Sequence, residues 1–175
     1  MKTSVMVFHP DLGQSVANRA LAEAVENLHD PDITVRDMYA LYPQFDIDVA
    51  AEQALAEASD RIVFQFPLYW YSSPALLKQW EDDVLEPGWA YEGDNVLTGK
   101  HLLVAVTVGG TEEIYRYEGS QNVTMDDVLV PLRSTARYLG MIYDDPFLVH
   151  GTAVPGFADL RLVQSAQAYA SLLSS

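Results

Sequence analysis

The chain has 175 residues, 49% of them hydrophobic, which suffices for one well-buried core and is short for two, so one domain over 1–175 is expected. A net charge of −15 leaves no basic footprint for nucleic acid and disfavours an anionic membrane surface, which turns the expectation toward small molecules or other proteins as partners. The absence of cysteine excludes disulfides, thiolate metal sites and cysteine nucleophiles, in keeping with a reducing cytoplasm. The apolar start reaches His9-Pro10 before signal-peptide length, and no run approaches a membrane span, so a cytoplasmic protein without membrane insertion is expected.

In chain order, residues 3–8 read as a first buried strand and 9–14 as a loop. A helix from about Ser15 places Ala17, Leu21, Ala24 and Leu28 on one face, and Asp30-Pro31 closes it. Residues 33–38 form a shorter second strand, and 46–59 a helix whose Ala50, Ala54 and Leu55 lie among acids. The apolar run 61–66 is a third strand, stopped at Pro67 because proline lacks the donor that continues a ladder. From Pro74 a helix carries Leu77, Trp80 and Val84 inward and Lys78, Glu81 and Asp82 on a wet face. After an irregular stretch, 89–99, a fourth strand at 101–107 is apolar almost throughout, as burial on both faces requires.

The polar segment from Gly109-Gly110 through Asn122 is long enough for a functional loop or lid. A helix over 124–139 opens with the capping-box spacing of Thr124 and Asp127 and aligns Val128, Leu132, Ala136 and Leu139. Pro131 either kinks that helix or marks its start. Residues 142–150, broken by Pro146, make a fifth strand, and 155–173 a terminal helix with Leu160, Val163 and Leu172 inward. This alternation gives an α/β fold: a doubly wound five-stranded parallel sheet of order 2-1-3-4-5 with helices on both faces.

In that order the chain winds in opposite directions from strand 1, which leaves a crevice above the ends of strands 1 and 3. Three loops converge on it. Ser15 and Asn18 stand at the mouth of the first helix, where unpaired N–H groups and the positive dipole end favour an anion such as phosphate; Ser15 also reads as a plain helix cap. His9 reads either as a phosphate donor or as a loop hydrogen-bonding residue. Residues 68–73 stack aromatic side chains behind a strand end, which suits a flat ring with amides at its rim, or else packing in a core or interface. Gly109 and Gly110 either let the fourth loop approach a planar ring or make a tight turn. The joint placement of the three loops points to a flavin.

Other chemistries lack their residues. There is no G-x-S-x-G elbow and no Walker phosphate loop. Of the four histidines, His101 starts a strand whereas His9 and His150 follow strands, so no metal site is expected. The acids at 81–83 read as a solvated helix face, and Asp144-Asp145 as a loop or strand-edge feature.

The sequence FHP with Ser15-x-x-Asn18, LYPQFDID at 41–48, AEQALAEASDRIVFQFPLYWYSSPALLKQWEDDVL from residue 51, GWAY at 88–91, GKHLL at 99–103 and TVGG at 107–110 carries a resemblance. Over roughly residues 3–150 it resembles the flavodoxin-like NAD(P)H:quinone oxidoreductases, nearest the ancillary oxidoreductases of glutathione-gated potassium efflux systems. The resemblance implies a homodimeric two-electron reductase with ping-pong hydride transfer from NADPH or NADH, through a tightly held flavin, to a quinone. FMN is favoured over FAD because this branch is short. His9 with Ser15, Val16, Ala17 and Asn18 would hold the flavin phosphate side; Pro67, Leu68, Tyr69, Trp70 and Tyr71 would line the isoalloxazine; Thr107, Val108, Gly109 and Gly110 would contact its rim.

Two departures stand out. Several relatives carry a second Thr where Val108 stands, so one hydroxyl is missing. Larger mammalian relatives place a Tyr and a His after the glycines; Tyr115 or Tyr117 matches the Tyr, but 111–149 contain no His, and no catalytic side chain is assigned. Two alternatives of other classes remain. One is a flavodoxin-type electron carrier, and the other a regulatory subunit that binds a potassium efflux transporter.

Overall fold

The structure, a computed structural model, describes residues 1–174, and for Asp159 and Leu160 the backbone alone. Three strands form the centre of the sheet: β1 (Thr3–Val7), β3 (Arg61–Pro67) and β4 (His101–Val108). Nearly all their residues are buried on both faces, which is why their sequences run apolar instead of alternating. β2 (Ile33–Asp37) lies at the edge and keeps partly exposed, mixed residues. The strands are parallel in the order β2-β1-β3-β4-β5, as the alternation of elements leads one to expect. The register sets Val7 beside Gln65, Gln65 beside Ala105, and Pro67 beside Thr107, so β1 ends two residues before β3 and three before β4.

Pleating sends alternate residues to opposite layers. Val5, Val7, Val63, Leu103 and Ala105 pack toward α1 (Ala17–Glu26) and α8 (Leu162–Leu173). Met6, Phe64, Phe66, Val104 and Val106 pack on the other face, with Leu77 and Trp80 of α4 (Ala75–Val84) and Leu132 and Ala136 of α6 (Val130–Tyr138). α2 (Met38–Leu41) and α3 (Val49–Ala58) cover the β2 side of this second layer, and Met38 and Ala56 are part of its core.

The fifth strand is two strands. β5 (Ile142–Tyr143) pairs with the start of β4 and β6 (Phe147–His150) with its end. Pro146 supplies no N–H for the ladder, while Asp144 turns to His101, whose Nδ1 lies 2.7 Å from the carboxylate. The helix read over 124–139 is likewise two: α5 (Met125–Val128), with a capping box between Thr124 and Asp127, and α6, whose first turn holds Pro131. Pro131 therefore marks a start, where its missing donor costs nothing.

Three expected faces are wrong. In α3, Ala50 and Ala54 face solvent and Leu55 is half-buried, while Glu52 and Ala56 point inward. In α8, preceded by α7 (Phe157–Leu160), Val163 and Leu172 are exposed, and Ala166, Tyr169, Ala170 and Leu173 form the buried stripe. The expectation for Leu160 falls on a side chain outside the described residues. In α4 only Asp82 of the three acids is exposed, paired with Lys78. Glu81 and Asp83 are half-buried, and burial pushes the Glu81 carboxyl up.

Glu52 explains the first error. It is fully buried, and its two carboxylate oxygens accept from Arg36 Nη1 (2.8 Å) and Nη2 (2.6 Å), Tyr42 Oη (2.5 Å) and Trp80 Nε1 (2.9 Å). Burial alone would raise this carboxyl, but the four hydrogen bonds together outweigh it and hold the group below the usual carboxylate range. The cluster ties β2, the turn after α2, α3 and α4 through one side chain.

Candidate active site

The three loops expected to converge do meet above the carboxyl ends of β1, β3 and β4. The first is shaped by local hydrogen bonds. Asp11 caps a 3-10 turn, Leu12–Gln14, and Ser15 Oγ accepts from Asn18 N at 3.1 Å, a cap on the first turn of α1. His9 Nδ1 accepts from Asp11 N at 3.1 Å, so the neutral ring carries its proton on Nε2 and can donate it. Burial lowers the His9 pKa, which favours that neutral form. Val16 is exposed and Ala17 buried in the α1 core, so neither side chain is a polar ligand; both offer backbone N–H groups at a helix mouth.

The second loop is a tight turn built from unsuitable residues. Tyr69 and Ser72 exchange backbone hydrogen bonds of 2.9 and 3.0 Å, leaving Trp70 and Tyr71 as the two central residues. Their φ angles are +50° and +62°, values for which such turns ordinarily use Asn and Gly. Each bulky residue held there costs about 1–3 kcal/mol, a strain that concentrates at functional sites. What the strain achieves is presentation: the Trp70 side chain is 93% exposed, with Tyr69 and Tyr71 partly exposed beside it. Tyr71 Oη also donates to Gln121 Oε1, which joins this turn to the 111–122 segment.

The third loop is clamped from both sides. Leu68 N donates to Thr107 O (2.8 Å), while Gly151, Thr152 and Ala153 donate to Gly110, Val108 and Gly109 carbonyls at 2.8, 3.0 and 3.2 Å. A Cβ added at Gly110 would stand 2.3 Å from Ile114 Cδ1, so this glycine lets the Ile114 and Tyr115 side chains pack against the loop and is not there for a positive φ. Val108 is fully buried in the core; only its backbone faces this loop, so the hydroxyl missing relative to a Thr belongs to a side chain directed away from the crevice. Pro67 ends β3 as its last ladder residue.

Contacts between the loops fix their positions. The His9 and Tyr69 rings lie 6.5 Å apart, and Asn18 Nδ2 donates to Thr107 Oγ1 at 2.7 Å. Beneath both sits Gln65, which sequence reasoning misses although it is the only amide in the run 61–66. Its Nε2 donates to Asn18 O at 2.8 Å. His150, at the end of β6, lies against Tyr115 with ring centroids 5.9 Å apart; burial lowers its pKa, and its Nδ1 has no hydrogen-bond partner among the described residues. That imidazole lies outside 111–149 in sequence and reaches the glycine loop only through the β6–β4 pairing. No group of three or more metal-binding side chains occurs among the described residues.

The crevice floor thus offers backbone donors, a hydroxyl and amides on one side and an aromatic shelf on the other, the donor set that an anionic tail and a flat polar-edged ring require. The Thr107 hydroxyl, whose oxygen already accepts from Asn18 Nδ2, keeps its hydrogen for a bound group at this place, and the exposed Trp70 ring offers such a group a flat face. Beside the shelf, between α4 and α6, a cavity of about 360 Å³ is lined by Phe66, Leu68, Tyr71, Glu81 and Leu132 among others.

Comparison with known proteins is consistent with this geometry. The flavodoxin-like fold family matches residues 1–173. The chain is 50% identical over 153 residues, 87% of each chain, to the uncharacterised NAD(P)H oxidoreductase YrkL of Bacillus subtilis. It is 43% identical over 150 residues, 85% of this chain and 80% of the other, to the glutathione-regulated potassium-efflux ancillary protein KefG of Cronobacter sakazakii. Among solved structures, general stress protein 14 of Treponema denticola, in complex with FMN, superposes with a TM-score of 0.92 at 39% identity, covering 99% and 98% of the two chains. An NADPH-quinone reductase from P. pentosaceus gives 0.84 at 32% identity, covering 97% and 98%. By sequence and by architecture, the chain belongs to the flavodoxin-like NAD(P)H oxidoreductase family.

Proposed function

We propose that this protein is a flavin-dependent NAD(P)H:quinone oxidoreductase, in which NAD(P)H and a proton reduce a quinone by two electrons to the hydroquinone and leave NAD(P)+. The observation that carries the reading is the convergence of the strained Trp70-Tyr71 turn, the α1 mouth and the glycine loop at one end of the sheet, in a chain so similar to an FMN complex and to a named quinone reductase. Bound FMN supplies the hydride chemistry between the two substrates; FAD stays the lesser alternative.

The residues themselves bind and orient. Ser15, Val16 and Ala17, with His9, hold the phosphate side, Val16 and Ala17 through their backbone, while Asn18, buried between Gln65 and Thr107, supports that helix mouth from beneath. Pro67, Leu68, Tyr69, Trp70 and Tyr71 form the shelf for the ring, and Thr107, Val108, Gly109 and Gly110 meet its rim, Val108 by backbone alone. The chain works as one domain. Exposure of Trp70, Tyr69, Tyr71 and Tyr117 supports a homodimer that covers this aromatic surface. No helix among the described residues is long and apolar enough to cross a membrane, and a cytoplasmic location is proposed with the NAD(P)H supply it requires.

Purified protein is expected to be yellow and to oxidise NADPH or NADH with a benzoquinone or naphthoquinone. Colourless protein that takes up no added FMN would overturn the reading. The likeness to KefG favours a second role, association with a potassium efflux system, which co-purification with the cytosolic domain of such a transporter tests.

A further inference from the structure

Gln65 is a costly residue for its place. It stands near the end of β3 among Ile62, Val63, Phe64 and Phe66, it is fully buried, and its Oε1 has no hydrogen-bond partner among the described residues. An unsatisfied buried acceptor carries an uncompensated desolvation cost, whereas an apolar side chain of similar shape would carry none of it. The other end of the amide is engaged, since Nε2 donates to Asn18 O at 2.8 Å and lies 3.5 Å from Asn18 Oδ1.

The sense of each bond follows from its neighbour. An amide Nε2 only donates, so the Asn18 oxygens face Gln65 and Asn18 Nδ2 must point the other way. There it donates to Thr107 Oγ1 at 2.7 Å. With a lone pair so engaged, the Thr107 hydroxyl keeps its hydrogen for an acceptor elsewhere. Thr107 is the residue at which β4 reaches the glycine loop and whose carbonyl anchors Leu68.

Resting on the flavin reading above, we propose that Gln65 is a positioning residue for the cofactor: it sets the direction of a buried relay, Gln65 to Asn18 to Thr107, so that the Thr107 hydroxyl donates to the bound flavin. Gln65 itself touches neither flavin nor substrate. It acts from the strand interior, which is why no surface feature marks it.

The test measures FMN release from the holo chain after dilution, by the recovery of free-flavin fluorescence, together with thermal melting of the apo chain. Gln65→Leu and Gln65→Met are expected to release FMN about tenfold faster, the equivalent of one hydrogen bond, with apo melting unchanged or raised. In a Thr107→Val background the same changes should alter release by less than about twofold, because the relay has lost its end, while Thr107→Ser keeps the full response. Release at the wild-type rate in both variants, or the same factor with and without the Thr107 hydroxyl, overturns the relay. If neither variant folds, Gln65 holds the core instead and the proposal fails. Wild-type protein that binds no FMN would overturn the flavin reading as well, so the two failures are distinguishable.

Discussion

Two buried polar clusters occupy opposite faces of the same sheet, and they differ in one respect. Around Glu52 the hydrogen-bonding capacity of a buried carboxylate is met by Arg36, Tyr42 and Trp80. Around Gln65 one buried acceptor has no partner among the described residues, and a hydroxyl of the cluster has a hydrogen to give. A closed cluster can only hold elements together; an open one, next to a strained turn, is poised for something that arrives later. The contrast separates residues that make the fold from residues that make the site, even where both are buried and polar.

Breaking the closed cluster should have the largest effect. Glu52→Gln leaves Arg36 without its charge partner and is expected to lower stability by about 3–5 kcal/mol in denaturant unfolding, with the flavin affinity of the remaining folded protein unchanged. The pH dependence sharpens this. Because the folded Glu52 carboxyl lies below its ordinary value, its contribution is present above the unfolded pKa and is lost as pH falls through the folded one. The acid limb of wild-type stability below about pH 4 should therefore flatten in Glu52→Gln, and an unchanged limb would remove Glu52 from the account.

Next in size is the strained turn, where the expected sign reverses. Replacing Trp70-Tyr71 by Asn-Gly suits the two positive φ angles and should raise stability by about 1–2 kcal/mol while weakening FMN retention, a separation of fold from site measured by melting and flavin content. Ser15→Ala removes a helix cap and is expected to cost about 1 kcal/mol, with faster FMN release as the α1 mouth loosens. Smallest in stability is Trp70→Ala: a side chain so exposed should change folding by less than about 0.5 kcal/mol, yet flavin retention should fall about tenfold. Equal flavin content in a folded variant would show that this ring does not meet the cofactor.

What could be read from sequence follows the range of the interactions involved. The central strands were legible because burial on both faces leaves a continuous apolar run, and the loops at their carboxyl ends followed from topology. The α3 face was not, since an acid reads as exposed until Arg36 is brought from β2, 16 residues earlier in the chain, to neutralise it. In α8 the buried stripe passes through Ala166 and Tyr169, and periodicity alone gave no reason to prefer it over Val163 and Leu172. At the site, His9, Asn18, Trp70 and Thr107 were nameable from motifs, but the Gln65 amide and the Tyr115–His150 contact exist only once β3, β4 and β6 are side by side.

The exposure of Trp70 has an optical consequence. The chain holds three indoles: Trp80 is enclosed, Trp89 is half-buried with Nε1 donating to Glu57 at 2.7 Å, and Trp70 stands in water. The red edge of the intrinsic emission therefore comes from one known position, and a soluble quencher such as iodide reaches that position first. Anything that covers the shelf, whether a ring or a second subunit, will shield the same chromophore, so a label-free fluorimeter suffices to watch this surface close.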